Sequence, residues 1–331
     1  MKKTLIAVFM MAAASQAHAI WDGAPLNPTE NPYIVNAHNC SGTVIGNRFV
    51  LTAGHCGDAT GSYILNGGDG KIIQVTKTIF NPLYNSSVSS FYDVALWEIS
   101  SPLTSGLLSN QEPVKDAFVS IAGWQGGSLK KADLKVIGPV NPMFSEDAFE
   151  LTYDPANGIG TGTSLPGDSG GPCYDAAGVW GTIQGGGGRG DGTYRQICQR
   201  ITNQNTKQWI LETVNGWSYP LSAKGDGVLT VKVQSVHPGN EVFAPWVDGS
   251  LELVSNTCAS TVNPLDVCTL QVKGSGKLYI TNTDQIEVNK PVEPPKPPTP
   301  EGGGNSGGGG STGPLWLLSL LGAAVLRARK S

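Results

Sequence analysis

The stretch Leu165-Pro166-Gly167-Asp168-Ser169-Gly170-Gly171-Pro172 constrains this chain more than any other. Glycine at 167 and 170 lets the backbone turn where a Cβ would collide with a neighbouring strand. Such a turn presents the Ser169 hydroxyl and aims the amides of Gly167 and Ser169 at one point, where they stabilise a developing oxyanion. Taken alone, Gly-Asp-Ser-Gly is also common loop chemistry. Two upstream segments give it weight.

Leu51-Thr52-Ala53-Gly54-His55-Cys56 places a histidine beside a cysteine, and Tyr92-Asp93-Val94-Ala95-Leu96 places an aspartate at the entry to an apolar run. A serine hydroxyl is a poor nucleophile until a base takes its proton, and that base needs a third group to orient it. His55, Asp93 and Ser169 supply these roles in the chain order His, Asp, Ser. With that order, the segment from Ile20 to about Val214 resembles the trypsin/chymotrypsin-like serine proteases. Ala122-Gly123-Trp124 resembles a further family landmark, with Gln125 where a glycine is usual.

The resemblance implies two six-stranded β-barrels of the chymotrypsin type and acyl transfer at Ser169, with Gly167 and Ser169 as the oxyanion hole. It implies a Cys40–Cys56 clamp on the histidine loop. It also implies that the amino group of a freed Ile20 pairs with Asp168, although Trp21 and Asp22 depart from the family's Val-Gly. The substrate pocket is expected at Thr163, six residues before Ser169, between walls at Gly186 and Gly192. Asp191 neighbours the second wall, and Leu165 replaces a cysteine that many relatives bridge. A neutral Thr163 between glycines predicts large apolar or aromatic side chains on the acyl side of the scissile bond (P1), in preference to Arg or Lys.

Many short β-type runs broken by Gly, Asn and Pro predict an all-β chain, and 331 residues suit two domains. Thr202 or Asn203 is positioned to cap a helix running through Leu211. From about Gly216 to Val288, alternating segments such as Leu229/Val231/Val233 and Cys268/Leu270/Val272 predict a small β-sandwich of immunoglobulin-like type. His237, its only histidine, reads as a turn residue.

Met1-Lys2-Lys3, an apolar run and Ala17-His18-Ala19 form a secretory signal peptide over 1–19. Signal peptidase has a site after Ala19 and a rival after Ala17. Export favours disulfides. Six cysteines allow 15 pairings, and sequence proximity pairs Cys40–Cys56, Cys173–Cys198 and Cys258–Cys268.

A Pro- then Gly-rich linker spans 289–313. Residues 314–331 hold an apolar run shorter than the ~20 residues of a relaxed span, then Arg327, Arg329 and Lys330. This ending resembles the GlyGly-CTERM sorting signal of secreted proteins from Gram-negative bacteria, including proteases of vibrios and their relatives. The alternative is an ordinary transmembrane helix as anchor. The sorting signal implies type II secretion, a rhomboid-type sorting protease, and a final place at the cell surface or in the medium.

The net charge of −4 argues against a nucleic-acid partner. No metal-ligand spacing, nucleotide loop or cofactor motif is visible, and Arg189-Gly190-Asp191 is too short to argue from. Protein or peptide substrates and a monomeric state are expected. The rival function is a surface-displayed binding protein on an inactive protease scaffold.

Overall fold

The computed structural model describes residues 19–37, 39–88, 91–140, 147–258 and 260–290. The signal sequence up to His18, His38, and the linker and tail from Pro291 onward lie outside the described residues.

The first barrel closes through six strands in the order Ile34–Ala37, Cys40–Ile45, Phe49–Thr52, Ala95–Ile99, Ile72–Phe80 and Tyr63–Asn66. Its alternation is plain in Tyr63–Asn66, where Ile64 and Asn66 are buried while Tyr63 and Leu65 face outward. Gly46 and Asn47, both at positive φ, turn the chain between Cys40–Ile45 and Phe49–Thr52. Phe49–Thr52 then runs through the core and delivers the histidine turn at its end.

The second barrel is built from Phe118–Gly123, Lys130–Pro139, Ala148–Tyr153, Tyr194–Arg200, Gly178–Gly188 and Pro172–Asp175. Phe118–Gly123 pairs with both Lys130–Pro139 and Pro172–Asp175, which closes the sheet. Ala24–Pro25 adds a short edge on Lys130 and Lys131. Its core holds Ile20, Leu134, Leu151, Trp180 and the cystine Cys173–Cys198. The helix Gln204–Val214 follows, and Asn203 is its N-cap, its side chain accepting from the Asn205 N–H at 2.9 Å.

Beyond the helix, two four-stranded sheets share one core. One contains Gly216–Ser218, Val228–Val236, Val267–Lys273 and Glu252–Asn256; the other contains Ser222–Ala223, Gln285–Val288, Gly276–Tyr279 and Trp246–Val247. Trp217, Val233, Leu270, Leu278 and Ile286 meet between them, and Cys258–Cys268 ties down the loop ahead of Val267–Lys273.

The sheets pack directly on the barrels, and the described residues form one compact unit. Val236 and Leu265 share a cluster with Ile45, Leu96, Leu108, Val179 and the helix residues Ile210 and Leu211. Buried carboxamides fasten the seam. Asn47 Nδ2 donates to the carbonyls of Leu103 (2.7 Å) and Tyr219 (2.9 Å), and its Oδ1 accepts from the Tyr219 N–H (3.1 Å). Gln234 Nε2 donates to Leu108 O at 2.7 Å, and its Oε1 accepts from Leu108 N at 2.8 Å.

Candidate active site

His55 sits in a single 3-10 turn, Gly54–Cys56, straight after Phe49–Thr52. That strand pairs with Ala95–Ile99, Thr52 opposite Ala95, so Asp93 arrives beside His55 at the same end of the barrel. Asp93 is fully buried and holds the histidine twice. Its Oδ1 accepts from the His55 backbone N–H at 2.7 Å, and its Oδ2 lies 2.7 Å from Nδ1. The hydrogen bond to Asp93 holds the His55 pKa above its ordinary value; burial opposes the shift and the Asp93 charge adds to it.

Asp93 is itself positioned by Gln199, a residue the sequence did not single out. The Asp93 N–H donates to Gln199 Oε1 at 3.3 Å, and Gln199 Nε2 donates to Asp147 O at 2.7 Å. No local motif marks Gln199; only the pairing of the barrels brings it there.

The Ser169 turn docks against the same strand end. The Ser41 N–H donates to Ser169 O at 2.8 Å, and Cys56 Sγ, in the Cys40–Cys56 disulfide, lies 3.9 Å from that oxygen. Gly170 has φ +78°, and a Cβ there would meet Thr52 Oγ1 at 2.0 Å and Ser41 O at 2.5 Å. Glycine is therefore the residue that lets the serine turn touch the histidine strand. Gly167 has φ +102° and packs on Gln125. Its carbonyl accepts from Ser41 Oγ at 3.2 Å. Among the described residues neither the Gly167 nor the Ser169 N–H has an acceptor.

Asp168 points the other way, into the second barrel, and is fully buried. Its Oδ2 accepts from the N–H groups of Leu165 (2.8 Å) and Ile20 (3.0 Å), and its Oδ1 accepts from Gln125 N at 3.3 Å. Burial pushes its pKa up against these bonds. A Cβ on Gly123 would overlap Oδ1 at 2.2 Å, so the Ala122-Gly123-Trp124 landmark makes room for this carboxylate. Ile20 is buried and has φ +38°, an outlier for a β-branched residue. Trp21 exchanges backbone hydrogen bonds with Thr163 (2.8 and 3.1 Å) and leans on Tyr194, while Asp22 accepts from the Tyr153 hydroxyl at 2.8 Å.

Of the residues expected at the pocket, Thr163 is buried, with Oγ1 unpartnered, and Gly186 lies in the strand Gly178–Gly188. Gly192 stands exposed in the 189–193 loop joining the two strands of the hairpin, at φ +87° with nothing within 4 Å of its Cβ position. Asp191 is exposed there too, accepting from Thr193 N and Oγ1. The residue opposite Gly186 is Gln196. Period-two alternation was the signal for it: Gln196 shares a face with Cys198, whose sulfur is in the core.

Two closed antiparallel barrels, with a histidine and aspartate from the first meeting a Gly-Asp-Ser-Gly turn from the second, define the chymotrypsin-like class of fold. The chain belongs to the trypsin family, whose model matches residues 20–210. It is 27% identical to trypsin zeta of Drosophila erecta over 180 residues, 44% of this chain and 63% of that protein. It is 25% identical over 206 residues to trypsin alpha-4 of Lucilia cuprina, 54% of this chain and 79% of the relative. Chymotrypsin-like elastase family member 1 of Macaca fascicularis is 27% identical over 168 residues, 41% and 62% of the two chains. The chain thus spans less than two thirds of the length of trypsin zeta. Among the described residues no helix is long and apolar enough to cross a membrane.

Proposed function

We propose that this chain is a serine endopeptidase that hydrolyses peptide bonds through an acyl-enzyme on Ser169. The observation that carries the reading is the double hold of Asp93 on His55, at the point where the Ser169 turn docks. With Nδ1–H donated to Asp93, His55 Nε2 is the free base. It takes the Ser169 proton as Oγ attacks the carbonyl, then returns it to the leaving amine, while Asp93 stabilises the imidazolium. The unpaired N–H groups of Gly167 and Ser169 receive the oxyanion; losing one such donor costs on the order of 10²–10³ in turnover. Water repeats the sequence on the ester.

Asp168 serves activation in this reading. An amide from Ile20 leaves the buried carboxylate with the Lys130 charge but no ion-pair partner in contact, whereas the ammonium freed by cutting after Ala19 supplies one. The same cut removes the torsion that holds Ile20 at positive φ, because φ is defined by the preceding carbonyl. Thr163 gives the pocket a neutral base, which disfavours a cationic P1 head. Residues 216–288 are the companion β-sandwich, of immunoglobulin-like type. The signal peptide directs export, and residues 314–331 are the sorting tail that a rhomboid-type enzyme removes after type II secretion.

Labelling with a serine-directed fluorophosphonate, beside peptide hydrolysis, tests the reading. The wild type is expected to label and turn over. Ser169→Ala is expected to lose both with an unchanged melting temperature. A Ser169→Ala variant that keeps most of its activity removes the assignment.

A further inference from the structure

We propose that Gln196 sets the depth of the substrate pocket, so that the enzyme accepts a short, uncharged P1 side chain of about alanine-to-valine size. This rests on Ser169 as the acyl-transfer nucleophile and identifies the substrate class of that site.

The placement follows from register. Gly178–Gly188 and Tyr194–Arg200 pair with Ile183 opposite Cys198, shift at an irregularity between Ile183 and Gly185, and continue with Gly185 opposite Ile197 and Gly186 opposite Gln196. The shift decides which side chain stands across from Gly186. Its carboxamide oxygen stands against the glycine: a Cβ on Gly186 would sit 3.2 Å from Gln196 Oε1 and 2.6 Å from Arg195 O.

The side chain is also pinned at its far end. Oε1 accepts from the Ser164 N–H at 3.2 Å, and Nε2 donates to Gly185 O at 2.8 Å and to Ile197 O at 3.1 Å. Gln196 therefore bridges the strand with Gly186 to the Thr163-Ser164 segment, closing the space that two glycine walls would have left open. Gln196 is 0% and Thr163 3% exposed, so both the carboxamide and the Thr163 side chain are closed to solvent.

A long P1 side chain has one way in, which is to displace the carboxamide from its three partners. That takes Oε1 from the N–H of half-buried Ser164 and Nε2 from the carbonyls of half-buried Gly185 and Ile197, and each lost bond costs free energy. A methyl, hydroxymethyl or isopropyl group stops short of it. Discrimination by volume in an apolar slot is worth about 10–200-fold per misfitted group.

The test is a peptide series varied only at P1 (Ala, Ser, Val, Leu, Phe, Lys), run on wild type, Gln196→Ala and Gln196→Gly. The wild type is expected to favour Ala or Val over Phe by roughly tenfold or more in kcat/KM. Gln196→Gly is expected to reverse that order, with Gln196→Ala between. Phe, Leu or Lys cleaved as fast as Ala by wild type overturns the proposal, as does an unchanged profile in a variant whose melting temperature shows it folded. A second arm needs no turnover: calorimetry of Ser169→Ala with product peptides ending in Ala or Phe should favour Ala, and Gln196→Gly in that background should favour Phe. Equal binding in both backgrounds also overturns it. Wild type that neither labels with fluorophosphonate nor cuts any peptide refutes the nucleophile itself, whereas labelling with a Phe preference refutes Gln196 alone.

Discussion

Replacing Asp93 by asparagine changes one atom, and the geometry says what that atom decides. Asp93 accepts twice from His55: Oδ1 from the backbone N–H at 2.7 Å and Oδ2 from Nδ1 at 2.7 Å. Asparagine has one oxygen to offer. The backbone N–H has no tautomer to exchange, so the oxygen stays on it and the NH2 turns toward Nδ1. Nδ1 then becomes an acceptor and the ring proton moves to Nε2, the atom that takes the Ser169 proton in the proposed mechanism. Ser-His-Asp hydrolases given the wrong tautomer in this way lose about 10⁴ in kcat, or ~5 kcal/mol of transition-state stabilisation. Asp93 is buried with its backbone N–H on Gln199 Oε1, which holds the position while the chemistry changes.

The pH profile supplies a second reading of the same variant. In wild type the Asp93 hydrogen bond, and after it the Asp93 charge, raise the His55 pKa above 6.5 against burial. In the proposed mechanism catalysis uses neutral His55, so kcat/KM climbs as pH rises through a midpoint above 6.5. In Asp93→Asn both raising causes are gone and burial remains, so the midpoint falls below 6.5. Stopped-flow or burst assays on an ester substrate from pH 5 to 9 measure both effects. A kcat within tenfold of wild type, or an acid limb that stays where it was, would refute the tautomer argument.

Two further predictions concern the frame around the site. Asn47→Ala removes four side-chain hydrogen bonds, to Leu103, Ser105 and twice to Tyr219, and puts alanine at φ +59°. At ~1 kcal/mol per bond and ~1 kcal/mol for the left-handed backbone, urea unfolding should show a loss of about 5 kcal/mol. Asn47→Gly should recover only the backbone part, and a loss under ~2 kcal/mol in Asn47→Ala contradicts the seam. Terminal sequencing should find the active protein starting at Ile20, with that amino group resisting cyanate until the fold is opened; full activity in a protein still carrying Ala19 rules out the ammonium role of Ile20.

The sequence by itself determined the local chemistry. Gly167 and Gly170 flank Ser169 because a tight turn against another backbone excludes Cβ atoms, and such a demand is written in the residues that meet it. His55 and Asp93 were legible for a similar reason, each standing at the end of an apolar run that becomes a barrel strand. The helix, and the β alternation after Gly216, were equally local.

What the tertiary structure alone decided are relations across distance. The resemblance paired Gly192 with Gly186 as a wall, whereas the hairpin register, shifted between Ile183 and Gly185, sets Gln196 opposite Gly186. A bulge of that kind is settled by pairing energy along two whole strands, which no short motif reports. Gln199 reaches Asp93 only because the second barrel packs on the first, 106 residues apart in sequence. Asn47 and Gln234 look like turn and strand residues in sequence, and become the buried seam between barrels and sandwich only when both surfaces exist. Their polarity is compatible with burial because each finds partners on the other element as well as on its own, a condition that folding, and not the local sequence, satisfies.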